Sequence, residues 1–345
     1  MSKRLLPASI LPGLLEIALK SRLNVQALFA DADIDPDAVG RHDRFIPLAQ
    51  LDLLLNRAFT LAEDPFFGLR VGMENHYASL DVLGNLLATA DTLGDALRLL
   101  PRYKDLIVPY VNFSLQAGDD TVTLVCESDP EMSFTRQRPH HEVVVATVVA
   151  IGRSLVGGEL GLKSVTFAHQ APADLRLYQQ FFAVPMHFGA GHDEVEIDAA
   201  RLAEPLPTAF PRYHQRLLKL ADEQLRRINQ AQGVVGQVLD LLQHRIGTAD
   251  FSVEAVAEQL NTTPRTLQRR LRQEGCTFMA LRDQVREQRA CELLAGNKEM
   301  HEIAEALGFS DTANFYHAFK RWQQCSPGEY RRRLGTAALT SQPPP

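Results

Sequence analysis

An internal repeat in the last third of the chain constrains its fold more than any other feature. The segments VEAVAEQL (253–260) and MHEIAEAL (300–307) resemble each other at an offset of 47 residues, because Val256, Ala257, Glu258 and Leu260 correspond to Ile303, Ala304, Glu305 and Leu307. In the helix-forming segment after each, Leu267 and Leu271 correspond to Phe315 and Phe319 at an offset of 48, so the second turn is one residue longer. Two units of helix, tight turn and helix are typical of a tandem helix-turn-helix. The sequence therefore predicts an all-α C-terminal domain built from two such units.

The second helix of the first unit, predicted over 264–274, has a basic face. Thr263 is a suitable N-cap, Pro264 suits the first helical position, and Leu267 and Leu271 face the core one turn apart. The side opposite these leucines carries Arg265, Gln268, Arg269 and Arg272. Arginine can fork to guanine edges, glutamine can pair with adenine, and either can hold a phosphate. A merely solvated face would mix Glu with Lys, whereas the only acid here is Glu274 at the far end, so DNA contact is favoured.

The corresponding helix of the second unit, predicted over 312–323, is less basic. We expect it to bury Phe315, Phe319 and Trp322. The residues predicted to contact DNA are Thr312, Ala313, His317 and Lys320. A long connecting helix is predicted over 278–296, with Gly296 as its stop. Such a rigid connector would hold the two reading helices in successive major grooves, roughly 34 Å apart.

Residues 233–333 resemble the DNA-binding domain of the AraC/XylS family of bacterial transcription regulators. The resemblance rests on FSVEAVAEQLNTTPRTLQRRLRQEGCTF (251–278) and on EIAEALGFSDTANFYHAFKRWQQCSPGEYRR (302–332). It implies double-stranded DNA and RNA polymerase as partners. It also implies that bases are read by Arg265, Gln268 and Arg269 and by Thr312, Ala313 and His317. Ala313 departs from the pattern because its side chain offers no hydrogen bond.

The first 230 residues read as a mixed α and β domain. Residues 108–127 alternate around the turn 117–120, which predicts a β-hairpin, and 163–169 and 194–198 are further strand candidates. The apolar run 142–156 is too long for an ordinary strand and ends at two glycines, so it is predicted as a buried helix. Asp64 is a candidate N-cap for a helix starting at Pro65. An α+β domain over 1–230 is the expectation.

Three segments of this domain resemble the arabinose-binding-type sensor region of regulators of the ornithine-utilisation type. They are DPFFGLRVG (64–72), LDVLGNLLATADTLGDALRLLPRYKDL (80–106) and FFAVPMHFGA (181–190). The resemblance implies a small-molecule effector of unknown identity. Candidate ligand residues are polar or aromatic side chains on apolar segments, each of which could equally be a core or rim residue: Arg102, Tyr103, Tyr110, Phe134, Arg136, His140 and His141. A helix predicted over 212–230 has an apolar stripe that suits a homodimer contact, signal transmission or ordinary core packing.

Charge and cysteine usage narrow the class of protein. Residues 231–345 carry 14 Lys and Arg against 13 Asp and Glu, whereas the whole chain has a net charge of −6, so the first 230 residues carry −7. The four cysteines form no C-x-x-C pair, which favours reduced thiols acting as small hydrophobes. No apolar run is long enough for a membrane span and no convincing secretory signal is present, which predicts a cytoplasmic protein without membrane contact.

Signatures of catalysis and metal binding are absent from the sequence. His140-His141-Glu142 and His192-Asp193-Glu194 lack a second ligand group one helical turn away, so no metal is expected. The common nucleophile and phosphate-binding motifs are missing, which predicts a non-enzyme without cofactor. Cys126 is the only cysteine of the first domain, which argues against an alkyl-accepting cysteine domain.

The sequence therefore favours a one-component, ligand-responsive transcription regulator, most simply an activator. Its predicted parts are an effector-sensing domain (1–230), a DNA-binding domain (231–335) and a disordered tail (336–345). One alternative is an enzyme or ligand-binding protein with an appended DNA-targeting domain. Another is an architectural DNA-binding protein, which the separate acidic domain argues against.

Overall fold

The computed structural model describes residues 5–35, 39, 44–231, 233–247, 251–294 and 298–332. The chain divides into two compact units between Gln224 and Leu225, whereas the sequence placed the boundary at residue 230. The first unit mixes helices and strands, and every regular element described in the second is a helix, so the predicted fold class is confirmed. None of the helices in these ranges is long and apolar enough to cross a membrane. The predicted tail, 336–345, lies outside the described residues.

The first unit is organised around a five-stranded sheet. The strands of the whole unit are β1 (Leu5–Pro7), β2 (Phe45–Pro47), β3 (Val111–Ala117), β4 (Thr121–Ser128), β5 (Leu162–Phe167), β6 (Met186–Phe188) and β7 (Asp193–Asp198). Strands β1 and β2 pair by themselves, and the large sheet has the order β3-β4-β7-β5-β6, in which β5 and β6 run parallel and the other neighbours antiparallel. The predicted hairpin is confirmed as β3 and β4, in register from Val111 opposite Ser128 to Ala117 opposite Val122.

The first compact unit also contains α-helices. They are α1 (Leu11–Lys20), α2 (Val25–Asp31), α3 (Leu48–Leu61), α4 (Phe67–Met73), α5 (Asp81–Ala88), α6 (Leu93–Tyr103), α7 (Arg138–Val156), α8 (Arg176–Phe182) and α9 (Pro211–Ala231), which runs across the division. The apolar run is the helix α7, as predicted, and it stops at Gly157, whose φ of 69° is left-handed.

The predicted N-cap at Asp64 is wrong. The helix α4 begins at Phe67, because residues 65 and 66 form a turn. The Asp64 carboxylate accepts the Phe66 N–H at 2.9 Å and pairs with Arg70 at 2.8 Å. Asp64 therefore stabilises the turn before the helix as well as the helix itself.

Helices α4 and α7 approach each other closely because two glycines of α4 face α7. A Cβ atom on Gly68 would lie 2.2 Å from the Pro139 carbonyl oxygen, and one on Gly72 would lie 2.5 Å from the Ala146 Cβ. Gly68 and Gly72 are one helical turn apart and so share a face. In the sequence, the two glycines are the fifth and ninth residues of DPFFGLRVG.

Helices α10 to α15 form the second unit, in which two hydrophobic cores share one helix. They are α10 (Val234–Arg245), α11 (Val253–Gln259), α12 (Pro264–Gln273), α13 (Phe278–Leu294), α14 (Met300–Ala306) and α15 (Thr312–Gln323). The first core joins α10, α11 and α12 to Leu281 and Val285 of α13. The second core joins α14 and α15 to Ala290 and Leu294 of the same helix. The predicted stop at Gly296 lies outside the described residues.

Replacing Gly68 or Gly72 with alanine should destabilise the protein by about 1–3 kcal/mol, since the new methyl group overlaps atoms of α7 that cannot move freely. Urea unfolding of the full chain measures this. Gly13→Ala in α1 is the matched control, because its Cβ meets nothing within 4 Å, and the change should stabilise by up to about 1 kcal/mol. If Gly68→Ala and Gly72→Ala both had the same free energy of unfolding as the wild type, the close packing of α4 on α7 would be contradicted.

Candidate nucleic-acid interface

The turns of the two helix-turn-helix units have the same hydrogen-bonding pattern. The Asn261 N–H donates to the Glu258 carbonyl, and the Gly308 N–H to the Glu305 carbonyl, both at 2.9 Å. Asn261 and Gly308 both have left-handed backbones, with φ of 49° and 70°. Glycine and asparagine are the residues that adopt this conformation at least cost. The 47-residue offset read from the sequence is therefore repeated in the backbone.

The second helix of each unit begins at a side-chain cap. The Thr263 hydroxyl accepts the Thr266 N–H at 3.2 Å, and the Asp311 carboxylate accepts the Asn314 N–H at 2.7 Å. This backbone hydrogen bond from Asn314 is the main cause that lowers the pKa of Asp311. The caps are 48 residues apart, so the extra residue lies in the second turn, as predicted.

Helix α12 presents the predicted basic face. Leu267 and Leu271 are buried. The four predicted contact residues, Arg265, Gln268, Arg269 and Arg272, are exposed. Among the described residues, no ion pair or side-chain hydrogen bond holds any of these four side chains. The helix contains no acid, so the arrangement can bind phosphates and base edges without first breaking internal pairs.

Helix α15 presents a smaller polar surface. Its outward side chains Ala313, His317 and Lys320 are exposed and Thr312 is half-buried. Arg321 is held instead by Asp283 of α13 at 2.7 Å, so its charge is partly neutralised. Trp322, expected to be buried, is half-buried.

Arg286 of α13 links the two helix-turn-helix units, a role that the sequence did not suggest. Its guanidinium donates to the carbonyl oxygens of Leu307 at 2.9 Å and Gly308 at 2.7 Å, in the turn of the second unit. The same group stacks 4.4 Å from the Phe309 ring centroid and 5.2 Å from that of Phe251, which belongs to the first core. Burial lowers the pKa of Arg286 to about 10, so it stays charged at neutral pH.

The predicted ligand residues, which all lie in the N-terminal compact unit, occupy different environments. Tyr110 and His140 line a cavity of about 690 Å³. The Arg102 guanidinium and the Tyr103 hydroxyl instead donate to Asp222 at 2.9 and 2.7 Å. These two side chains do not line the cavity.

Three more ligand candidates also lie outside the cavity lining. Phe134 is fully buried in the core. Arg136 donates to the Pro130 carbonyl oxygen at 2.7 Å. His141 pairs with Asp193 at 2.7 Å and so joins the two segments considered above for a metal, but the described residues contain no group of three or more metal-binding side chains.

Each of the two compact units contains a segment that matches a known protein family. Residues 23–206 match the family described as the arabinose-binding domain of AraC transcription regulators, N-terminal, and residues 256–333 match a helix-turn-helix domain. The chain belongs to the AraC-type transcription regulators. It is a DNA-binding regulator with an N-terminal ligand-binding domain, and the fold and family resemblance read from the sequence are confirmed.

Two Pseudomonas aeruginosa proteins illustrate the similarity of this AraC-type regulator to curated relatives. The ornithine utilization regulator is 28% identical over 330 residues, covering 95% of this chain and 96% of the relative. The HTH-type transcriptional regulator VqsM is 27% identical over 275 residues, covering 76% and 83%. The crystal structure of the transcriptional regulator CdpR, also from P. aeruginosa, is 26% identical and covers 92% of this chain and 98% of its own, with a TM-score of 0.46.

Arg286→Ala should destabilise the second core by about 2–3 kcal/mol, because two charge-assisted hydrogen bonds to the Leu307 and Gly308 carbonyl groups are lost. Trp322 is the sole tryptophan and packs against that core, so its fluorescence during urea unfolding reports the effect. Arg289→Ala is the control on the same helix, since the exposed pair of Arg289 with Glu292 should contribute less than about 1 kcal/mol. Equal losses in the two variants would refute the linking role of Arg286.

The buried His140 should make the AraC-type regulator less stable in mild acid. Burial lowers the pKa of His140 to about 3, so between pH 6.5 and 3 the unfolded chain binds a proton that the folded chain does not. Stability is thus fully present above pH 6.5 and falls as the pH decreases, by about 1.4 kcal/mol per pH unit well below 6.5. His140→Gln should remove that part of the slope between pH 6.5 and 5, as measured by urea unfolding. Parallel curves for the two proteins would exclude a neutral buried His140.

Proposed function

We propose that this AraC-type regulator is a ligand-responsive activator that reads two successive major grooves with α12 and α15. The observation that carries the proposal is the exposed Arg and Gln face of α12, which has no side-chain partner among the described residues and lies on a helix-turn-helix unit linked by α13 to a second such unit. A connector shared by two cores favours simultaneous docking of both reading helices, because it restricts their relative movement.

Different roles are assigned to the exposed side chains of α12. Arg265, Gln268 and Arg269 lie furthest toward the N-terminal end of the exposed face, the part that enters the groove in helix-turn-helix proteins, and we assign them base contacts. Arg272, one turn further along, suits a phosphate.

Helix α15 contributes fewer hydrogen bonds. Thr312 and His317 are the base-reading candidates, Lys320 is a phosphate candidate, and Ala313 can contact only a thymine methyl group. The second half-site should consequently tolerate more sequence variation than the first.

The remaining partners are proposed from the family. They are a small-molecule effector, RNA polymerase and a second copy of the chain. The curated relatives are named as regulators, which supports a regulatory role over a catalytic one. Light scattering of the purified chain with and without operator DNA tests the homodimer.

Arg269→Ala should weaken binding to the specific site by about 1–3 kcal/mol and relax its sequence preference. Arg270→Ala is a matched control, because Arg270 is exposed on the flank of the same helix and its removal takes away the same charge. The control should weaken specific and random DNA to a similar, smaller extent. Titration of both DNAs at one salt concentration makes the comparison. If Arg269→Ala weakened both DNAs equally, Arg269 would be a phosphate contact.

Bipartite reading predicts a strict dependence on helical phase. Footprinting should show two protected major-groove segments about 10 bp apart on one face of the DNA. Inserting 5 bp between them moves one segment to the opposite face and should abolish tight binding, whereas inserting a full turn of DNA should separate the segments beyond the reach of α13. Unchanged affinity after the 5 bp insertion would mean that only one of the two helix-turn-helix units reads DNA.

A further inference from the structure

The cavity of the first unit has the size of a ligand site. Its volume of about 690 Å³ lies within the range of about 300–1,000 Å³ that is usual for small-molecule pockets. Its wall is formed by residues of the helices α1 to α7 and of β3, all within the same compact unit.

Most of the wall is aliphatic or aromatic. Leu97 and Leu100 of α6, Phe113 of β3, and Val143 and Val148 of α7 all line the cavity and are only partly buried, although they belong to helices and a strand of the core. Apolar side chains that stay partly exposed inside a fold gain stability when a hydrophobic molecule covers them.

Polar groups inside the cavity are mostly paired already. The Asn75 amide donates to the Thr147 hydroxyl at 2.8 Å, and His140 Nε2 lies 2.7 Å from the Ser128 hydroxyl. Tyr110 is held by its ring contacts with Phe134 and His140, at centroid distances of 5.0 and 6.0 Å. Among the described residues, the Tyr110 hydroxyl has no hydrogen-bond partner. Burial raises the pKa of Tyr110 to about 12, so the hydroxyl keeps its proton.

Charged side chains of the lining stay at the mouth. All eight are exposed, and five are acidic against three basic. Lys20 is engaged by Glu16 and Glu74, each at 3.1 Å, and Arg70 by Asp64 at 2.8 Å. The interior thus offers no charge to a carboxylate or an ammonium group, and the acidic excess at the mouth disfavours anions.

We propose that this cavity binds a neutral, mainly hydrophobic molecule with one oxygen atom that hydrogen-bonds to the Tyr110 hydroxyl. That this molecule is the effector rests on the function proposed above. The proposal separates this chain from the ligands that the names of its family and its relative suggest. A pentose brings several hydroxyl groups and ornithine several charges, and an apolar wall with one unpaired hydroxyl would leave most of them without partners.

Binding is tested on the full chain with two fluorescent probes that share one aromatic core. N-phenyl-1-naphthylamine is neutral, whereas 1-anilinonaphthalene-8-sulfonate carries a negative charge. The neutral probe should bind at about one site per chain and at least about tenfold more tightly, a difference of roughly 1.4 kcal/mol. Equal or tighter binding of the sulfonate, or no binding of the neutral probe to folded protein, would overturn the proposal.

Variants locate the site. Val148→Trp should fill the cavity and abolish binding of the neutral probe, and Leu97→Trp is a second filling variant from another helix in case the first fails to fold. Leu53→Trp is the control, since Leu53 is 55% exposed and lies outside the lining. Circular dichroism verifies folding, and a folded Val148→Trp or Leu97→Trp protein that binds the probe normally would overturn the proposal.

The hydroxyl contact is tested by displacing the probe with 1-decanol. Tyr110→Phe should weaken displacement by about tenfold, the effect of losing one hydrogen bond of roughly 1.4 kcal/mol. Tyr103→Phe removes a hydroxyl that donates to Asp222 outside the cavity and should leave displacement unchanged. Equal effects of the two changes would refute the assigned role of Tyr110.

Transcription from the native promoter separates the site from its function. If the neutral probe binds and the filling variants block it, the ligand site stands. Should those folded filling variants regulate as the wild type does under every growth condition, only the sensing role would fail. A metabolite response that survives in a filled variant would place the effector elsewhere and overturn the cavity as the effector site.

Discussion

The two reading helices depend on one helix that serves two hydrophobic cores. The first half of α13 packs in the core of the first helix-turn-helix unit and its second half in that of the second unit. Arg286, between these halves, adds charge-assisted hydrogen bonds to the Leu307 and Gly308 carbonyls that neither core provides. Gly247 brings a second close contact, since a Cβ there would lie 2.4 Å from the Ala306 carbonyl oxygen. The distance between α12 and α15 is therefore fixed by the packing of both cores on α13. A flexible linker could not fix this distance.

Local patterns in the sequence were enough to predict the helix-turn-helix units. The cap Thr263 and the buried positions Leu267 and Phe315 all follow from patterns within a few residues of each other. The hairpin and α7 were predictable for the same reason. Arg286 was not, because its partners are 21 and 22 residues away and are carbonyl groups, which leave no signature in side-chain composition.

The ligand candidates show the opposite limit of sequence reasoning. Polar residues on apolar segments suggest a pocket, but a buried polar group needs a partner wherever it lies. Arg102 and Tyr103 find theirs in Asp222, some 120 residues away, a pairing that no local pattern reveals. The cavity itself is lined mostly by ordinary aliphatic and aromatic side chains from several helices and one strand, and such residues look the same in sequence whether they face a filled core or a cavity.

The tandem arrangement also gives the complex a direction. The two units follow each other along one chain, with the longer turn and the less basic helix always second, so no two-fold axis relates them. A complex of a symmetric dimer with a palindromic site is unchanged when the site is reversed. A complex of a single chain that has two different helix-turn-helix units is not. If α12 and α15 both bind DNA as proposed, inverting the site would exchange the positions of the two helix-turn-helix units along the DNA. Under the proposed bipartite reading, a single molecule of this protein distinguishes the two orientations of its operator.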